Sequence, residues 1–533
     1  MKREIYSHHQ DFVLLLVLFA TFHLMTLLLL RPGGYIADYS EYNTGYLAFA
    51  RWSDKGLYPF IHYWLEWPPL FPWLVVGAYR LSLLIPSWVD PQLWYDIFLG
   101  LALLFFEIGN LGVIYLLALE LYEREKAFRC ALIYALLFAP LYIWSGWVDP
   151  MPLFFLLLGL YLLIRQRAVS AGIALGLGFM IKITPAIIVA VGWKALNTRR
   201  RKVSLLLAFG VTALAIAAPF LLTRPQFLIA SFRSMVARSS WETVWALLEG
   251  YYSYGVVAGD RFDPSANVAT HPSTLPWPLI SLAFAFLYLW LFTRPWGEEK
   301  SRIVAFAGLT VNLFTLYNKG YSPQFLVQLI PFVILLLPNL RGVIYILLLD
   351  TLNFLEATVY FIMLPDERWL LVGTVFWRTL IILMLCAEYS TIFFSLSEER
   401  IAHLRRRAFA VLVVASLSLG LLGGYRLMGA YHRARYAQEE YRPVVEFLVS
   451  AIEPGEAALI LPDHALYQRL NPFLRKEMAL YVAEDRTLPQ IIEGYGDIWL
   501  VNPEGGIEAW LKGKMELVAA HDLAGVRLVH FKR

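Results

Sequence analysis

Residues 12–42 read FVLLLVLFATFHLMTLLLL RPGGYIADYSEY: an uncharged run from Phe12 to Leu30, then Arg31, a Pro-Gly-Gly turn and two acids, Asp38 and Glu41, set among tyrosines. At ~1.5 Å rise per residue the run is long enough to cross a hydrocarbon core of ~30 Å. Lys2 and Arg3 precede it, and Arg31-Pro-Gly-Gly offers no small-x-small cleavage site. The stretch therefore predicts a signal anchor with the N-terminus inside and two carboxyl groups delivered to the outer membrane surface.

The rest of the chain extends this reading. Of 533 residues 59% are hydrophobic and only 16% charged, with mean hydropathy +0.57. Soluble domains are about a quarter charged, so this is the composition of a polytopic membrane protein. Apolar runs recur at 12–30, 93–120, 128–146, 150–165, 168–182, 184–196, 203–222, 276–293, 303–317, 323–338, 342–363, 369–394 and 408–427. They predict an all-α membrane domain, residues 1–427, of about thirteen transmembrane helices. Residues 69–86 are also apolar, but Pro68, Pro69, Pro72 and Arg80 interrupt them, and they are read as a juxtamembrane or re-entrant helix. With that choice Arg124/Lys126/Arg129, Arg165/Arg167, Arg199–Lys202, Lys300/Arg302 and Arg405–Arg407 all fall inside, as the bias of Lys and Arg in short loops requires. The outer side receives 31–92, 223–275 and the turns at 145–150, 181–184, 317–322 and 364–368. Residues 428–533 hold 12 Lys and Arg against 15 Asp and Glu, and predict a small soluble α/β domain on the outer face. Its strands are expected at 457–461 and 498–501, its helices at 441–452 and 486–493. Gly494, Gly505 and Gly506 are read there as turn glycines. Cys130 and Cys386 lie alone in apolar segments as packing residues. Nothing in the charge pattern suggests nucleic acid.

The residues with chemical potential sit at the outer turns. Asp38, Glu41 and Glu66 lie in the first outer loop among aromatics; such acids either decorate a solvated loop or serve a reaction that takes a proton from a hydroxyl. Asp149 precedes Pro150, a pair that starts a helix and also stands at the outer edge of the bundle. Lys182 lies between apolar segments, where a lysine snorkels or meets an anion; an outer position against the topology bias favours a lipid phosphate. In Tyr317-Asn318-Lys319-Gly320-Tyr321-Ser322-Pro323-Gln324-Phe325, Lys319 offers a charge to a phosphate. Asn318, Ser322 and Gln324 offer hydrogen bonds, and a helix start near Pro323 adds backbone N–H groups. His62 and His271 are read as interfacial hydrogen-bonders. The glycines of Ala171-Gly172-x-x-x-Gly176-x-Gly178 are read as permitting close helix packing.

The ordered set of these motifs resembles the GT-C glycosyltransferases that use polyprenyl-phosphate sugar donors. It comprises Asp38-x-x-x-Tyr42, Gly56 to Pro59, Glu66-Trp67-Pro68-Pro69, Asp149, the glycine stretch ending in Lys182, Arg238-x-x-x-Glu242-Thr243, and Asn318-Lys319-x-x-Ser322-Pro323-Gln324. Polyprenol-phosphate-mannose-dependent mannosyltransferases and aminoarabinose transferases are the members it is closest to in pattern. The resemblance implies a GT-C fold with juxtamembrane helices in the first outer loop, an inverting mechanism, and Asp38 as base with Glu66 and Asp149 beside it. Lys182, Asn318, Lys319, Tyr321, Ser322 and Gln324 then bind the donor. Tyr42, Arg233, Arg238, Trp241 and Glu242 are acceptor or loop contacts. The sugar is mannose or another hexose, and the acceptor a lipid, glycan or protein hydroxyl. Glu66 is the best position for a divalent metal, which the sequence does not require; the aminoarabinose transferases follow this glutamate with Lys where Trp67 stands. The implied setting is the cell (plasma) membrane. The rival reading is a multi-span transporter or flippase of lipid-linked glycans, which would place charges in mid-span and show repeat symmetry.

Overall fold

The structure is a computed structural model, and it describes residues 9–30, 41–85, 92–295, 297, 299–396, 398–452, 457–474, 477–482, 488–503, 505–523 and 525–533. It divides into two compact units, 1–423 and 424–533.

In the first unit every one of the thirteen apolar runs is helical. Among the described residues six helices are long and apolar enough to cross a membrane alone: Gln10–Leu29, Leu93–Leu121, Arg199–Thr223, Leu340–Met363, Arg368–Phe394 and Arg406–Gly429. A seventh span is the pair Arg124–Leu136 and Phe138–Trp144, bent by 53°. The others, such as Ala168–Phe179 with 12 residues, rise only ~18 Å. The thirteen expected crossings thus comprise six long helices, one bent pair and several shorter segments. Leu70–Ser82, with 13 residues, is likewise too short to span, in keeping with its juxtamembrane reading.

Glycine sets the closest helix contact. A side chain at Gly172 would bring a Cβ within 2.5 Å of the Leu205 carbonyl oxygen, and one at Gly176 within 3.0 Å of that of Phe209. Ala168–Phe179 therefore lies backbone to backbone against Arg199–Thr223. Helix starts are set locally: Thr198 and Asn339 accept backbone N–H groups of the first turns that follow them, which satisfies donors a helix leaves open.

At one end of this unit, basic residues gather. Glu120 receives both Arg165 and Lys300, Arg124 reaches Asp11, Arg201 donates to Gln166, and Lys194 donates to the carbonyls of Phe292 and Arg294. Four of the expected inner loops therefore share one face. At the other end the first outer loop is a packed body: Tyr42, Tyr46, Phe49, Phe60, Tyr63 and Phe71 form a continuous core with Trp144, Val148 and Ile181.

The second unit is a five-stranded sheet of order β2-β1-β3-β5-β4, with β1 Ala457–Leu461, β2 Ala479–Val482, β3 Asp497–Val501, β4 Glu516–Leu523 and β5 Val526–Lys532. β1 runs parallel to β2 and β3, and β5 antiparallel to β3 and β4. Leu459, Leu461, Trp499 and Val501 face one core, and Ala458, Ile460, Ile498 and Leu500 the other, the period-two alternation of a sheet covered on both sides. Two expectations change here. Gly505 and Gly506 open the helix Gly505–Lys512 and Gly494 closes the helix Leu488–Gly494, so none of them sits in a free turn. The helix expected at 441–452 is the last part of a continuous helix, Glu398–Ala451, which runs on through Pro443.

Candidate functional site

Five segments distant in sequence are tied together at the end opposite the basic face. Glu41 N–H donates to Gly146 O (3.0 Å), Leu70 N–H to Met180 O (3.0 Å), Trp64 N–H to Arg261 O (3.0 Å), and Trp241 N–H to Lys319 O (3.1 Å). Tyr321 N–H returns to Trp241 O at 3.1 Å. The outer-loop motifs are thereby drawn into one surface of backbone hydrogen bonds.

Two charged clusters occupy it. In the first, Lys182 Nζ lies 2.6 Å from Asp149 Oδ1 and 4.4 Å from the centre of the Phe325 ring. Gln328 Nε2 also reaches Asp149 Oδ1, at 3.5 Å. Asp149 is fully buried, so the lysine supplies the charge its carboxylate needs. Glu66 Oε2 stands 2.9 Å from Arg261 Nη1. Burial above all, then the negative Glu66, pushes the Glu41 carboxyl up to about 7, against the opposing pull of Lys182. Gly45 makes room for that carboxylate: a Cβ there would meet Glu41 Oε2 at 2.2 Å.

The second cluster surrounds Trp241. Its indole N–H donates to Ser322 Oγ (3.0 Å), and the Arg238 guanidinium stacks on its ring at 3.4 Å. Lys319 Nζ donates to Val236 O (2.8 Å) and Arg238 O (3.4 Å) and sits 5.0 Å from the Trp277 ring centre. Burial lowers the Lys319 ammonium below its ordinary value, and Glu249 opposes that. Burial likewise brings the Arg238 guanidinium down to about 10, with Glu66 opposing. Arg238 thus senses Glu66 and Glu242 at once and joins the clusters. A cavity of about 220 Å³ opens beside Glu242, Trp245, Tyr321 and Arg378. An apolar groove of about 570 Å³ runs along Ala213, Ala217, Leu221 and Ile229 to Arg233.

The expected residues divide by what they touch. Asp38 lies outside the described residues. Asp149 and Lys182 meet directly, and Glu66 pairs with Arg261. Lys182 and Lys319 do not share a partner: each is held in its own cluster. Asn318 Nδ2 donates to Gly320 O (2.8 Å) and shapes the turn. Gln324 is half-buried in the short turn Pro323–Phe325. Tyr42 is turned inward, its hydroxyl donating to Trp144 O at 2.9 Å, so it supports the loop from within. Arg233 donates to Pro264 O and Ala266 O and holds the 260–266 loop. His62 Nδ1 accepts Tyr58 N–H (3.0 Å), and His271 pairs with the Ser240 carbonyl. For a divalent cation the donor set at Glu66 is a poor fit, because Arg261 already neutralises that carboxylate and Arg238 adds a second positive charge. Among the described residues no group of three or more His, Cys, Asp or Glu gathers elsewhere.

Four participants were not singled out from the sequence: Arg261, Gln328, Glu356 and Arg378. The last two carried a signal, since charges inside apolar runs are costly and mark function or pairing. Arg261 and Gln328 carried none, because one lies in a polar loop and the other in an apolar helix where single amides are common.

Residues 80–317 match the model of glycosyltransferase family 87. The resemblance carried by the motifs and this match agree on a glycosyltransferase. No curated protein matches the chain in sequence. Among solved structures, the crystal structure of ArnT from Cupriavidus metallidurans bound to undecaprenyl phosphate is similar at 13% identity over 98% of each chain, with a TM-score of 0.40.

Proposed function

We propose that this protein is a multi-pass membrane glycosyltransferase that moves a hexose from a polyprenyl-phosphate donor to a hydroxyl of a lipid, glycan or protein. The face carrying the motif loops is read as extracytoplasmic, because basic loops gather at the opposite end. The observation that carries the proposal is the joining of five outer segments, each with a motif, into one charged surface. In this reading Lys182, Arg238 and Lys319 neutralise the donor phosphate. Asn318, Ser322 and Tyr321 shape the turn that presents Lys319. Asp38 takes the proton of the acceptor hydroxyl; that oxygen bonds to the anomeric carbon as the bond from carbon to phosphate oxygen breaks. Polyprenyl phosphate leaves with the electron pair, and the sugar configuration inverts. The protein supplies position, a base and fixed charge. Mannose is the first sugar to test.

The transporter reading gains no support. Acidic and basic residues do lie within apolar helices, but Glu356 is paired with Arg378 and Glu388 with Arg341, and Glu107 accepts from Asn110 and Tyr134, arrangements that hold helices together. The experiment is transfer of radiolabelled sugar from a panel of polyprenyl-phosphate donors by the purified full chain in nanodiscs. Transfer with inversion from at least one donor, abolished by Asp38→Asn, is expected. Absence of both undecaprenyl-phosphate binding and sugar transfer across the panel would overturn the proposal.

A further inference from the structure

The strongest feature that the proposed chemistry leaves unused is a buried ion pair beneath the Trp241 turn. Arg378 and Glu356 are 3% and 0% exposed. Arg378 Nη1 donates to Glu356 Oε1 at 2.6 Å, and Thr374 Oγ1 holds the other carboxylate oxygen at 2.7 Å. The second arm of the guanidinium, Nη2, donates to the backbone carbonyl of Glu242, and its plane lies 3.8 Å from the Tyr321 ring centre.

Glu242 is the reason this contact matters. Its φ is +51°, a left-handed conformation that residues with a Cβ adopt only when their surroundings hold them there. It sits between Trp241, whose N–H and C=O pair with Lys319 and Tyr321, and Thr243, whose hydroxyl donates to Lys319 O at 2.9 Å. A guanidinium presents its donors in a rigid fork. One fork therefore fixes helix Arg368–Phe394 to the segment Leu355–Met363 and, on its other side, holds the one carbonyl whose orientation depends on the strained residue. If the donor is lost, the contact that holds the Glu242 carbonyl is gone, and only the side-chain contacts of Glu242 with Glu356 and the Gly255 backbone still oppose its return to negative φ. Its carbonyl then rotates and the pairing of Trp241 with Lys319 and Tyr321 breaks. Arg238, stacked on Trp241, and Lys319 lose their common register.

We propose that Arg378, oriented by Glu356, is a positioning residue for the phosphate-binding surface: it acts through the Glu242 carbonyl to set Arg238 and Lys319, without touching the substrate. The inference rests on the reading of that surface as a phosphate site. It differs from a merely structural ion pair in one respect: the two-armed guanidinium must stand at position 378, whatever the charge balance.

The test uses the full chain in detergent with undecaprenyl phosphate as probe and two readouts, binding and amide exchange of 238–243 and 318–322. Arg378→Gln is expected to speed exchange in both segments and to weaken binding on the order of tenfold to a hundredfold, the loss of a charge-assisted contact network. The double exchange Glu356→Arg with Arg378→Glu restores the pair and the melting temperature. It leaves exchange fast and binding weak, because a carboxylate at 378 cannot donate to the Glu242 carbonyl. Should Arg378→Gln fail to fold, Arg378→Lys, which keeps charge but has no fork, is expected to melt near wild type with raised exchange in the same two segments. Wild-type exchange in Arg378→Gln or Arg378→Lys, or full recovery of both readouts in the double exchange, would overturn the inference. A wild-type chain that does not bind undecaprenyl phosphate would sink the phosphate reading instead, while the exchange data would still decide the role of Arg378.

Discussion

At the scale of single residues the first outer loop and the turns facing it hold carboxylates whose partners differ. Asp149 is buried with Lys182 at 2.6 Å. Removing the lysine alone leaves a buried uncompensated charge, which costs about 3–5 kcal/mol, so Lys182→Met should lower the melting temperature strongly. The double variant Lys182→Met with Asp149→Asn should recover most of that stability but not donor binding; recovery of both would exclude Lys182 from the phosphate site. Glu41 is governed by burial instead, and its carboxyl sits at about 7 rather than the ordinary 4.5. A carboxyl raised in the folded state binds its proton more tightly there than in the unfolded chain. Its contribution is therefore fully present below about pH 4.5 and lost as pH rises through about 7. Glu41→Gln should flatten the fall in melting temperature between about pH 5 and 8; an unchanged slope would show that Glu41 does not titrate there. Lys182 was legible in the sequence as a charge needing an anion. That Asp149 is the anion it meets was not, because the two lie 33 positions apart with two helices between them.

At the scale of elements the glycine positions allow a paired test. Gly172→Ala drives a Cβ to 2.5 Å from the Leu205 carbonyl oxygen, and overpacking against backbone costs about 1–3 kcal/mol. Gly112 sits within Leu93–Leu121, and among the described residues no atom beyond its own turn of helix comes within 4 Å of where a methyl group would stand. Gly112→Ala should therefore stabilise by about 0.5–1 kcal/mol. Thermal melts of the two single variants check the sign of each. The same contrast explains what was readable. Apolar runs marked the helices of the thirteen expected spans, because hydropathy alone selects them, but not Pro225–Ala237 or Val244–Leu248, which lie in the expected outer loop 223–275. Their depth was not readable: a 12-residue helix and a 25-residue helix look alike until packing sets one behind the other. The second unit was legible as α/β from short apolar runs between charged stretches. Gly505 and Gly506 misled, since glycine marks turns and helix starts alike. In the candidate site, contiguous motifs such as 317–325 were visible. The Arg378 link to Glu242 was not, because it joins positions 136 residues apart.

At the scale of the whole molecule the strongest regularity is charge sorted by end. Arg165 and Lys300 converge on Glu120, and Arg124 and Arg201 are tied within the same group of loops. The motif turns at 41–69, 145–149, 180–182, 238–243 and 318–322 join at the other end. Because short basic loops stay on the cytoplasmic side, the motif end should be extracytoplasmic. If the chain makes the thirteen crossings expected from its sequence, starting from an inner N-terminus, residues 428–533 should also be extracytoplasmic. Cysteines at two exposed positions test this, Arg200→Cys among the basic loops and Glu516→Cys in β4. Cys130 is buried and Cys386 half-buried, so Cys386→Ser removes the background. An impermeant thiol reagent added to intact cells should label the cysteine at 516 and reach that at 200 only after the membrane is opened. Labelling of 200 with protection of 516 would invert the molecule. The proposed donor site would then face the cytoplasm, and Lys182, Arg238 and Lys319 would need a cytoplasmic phosphate as their ligand.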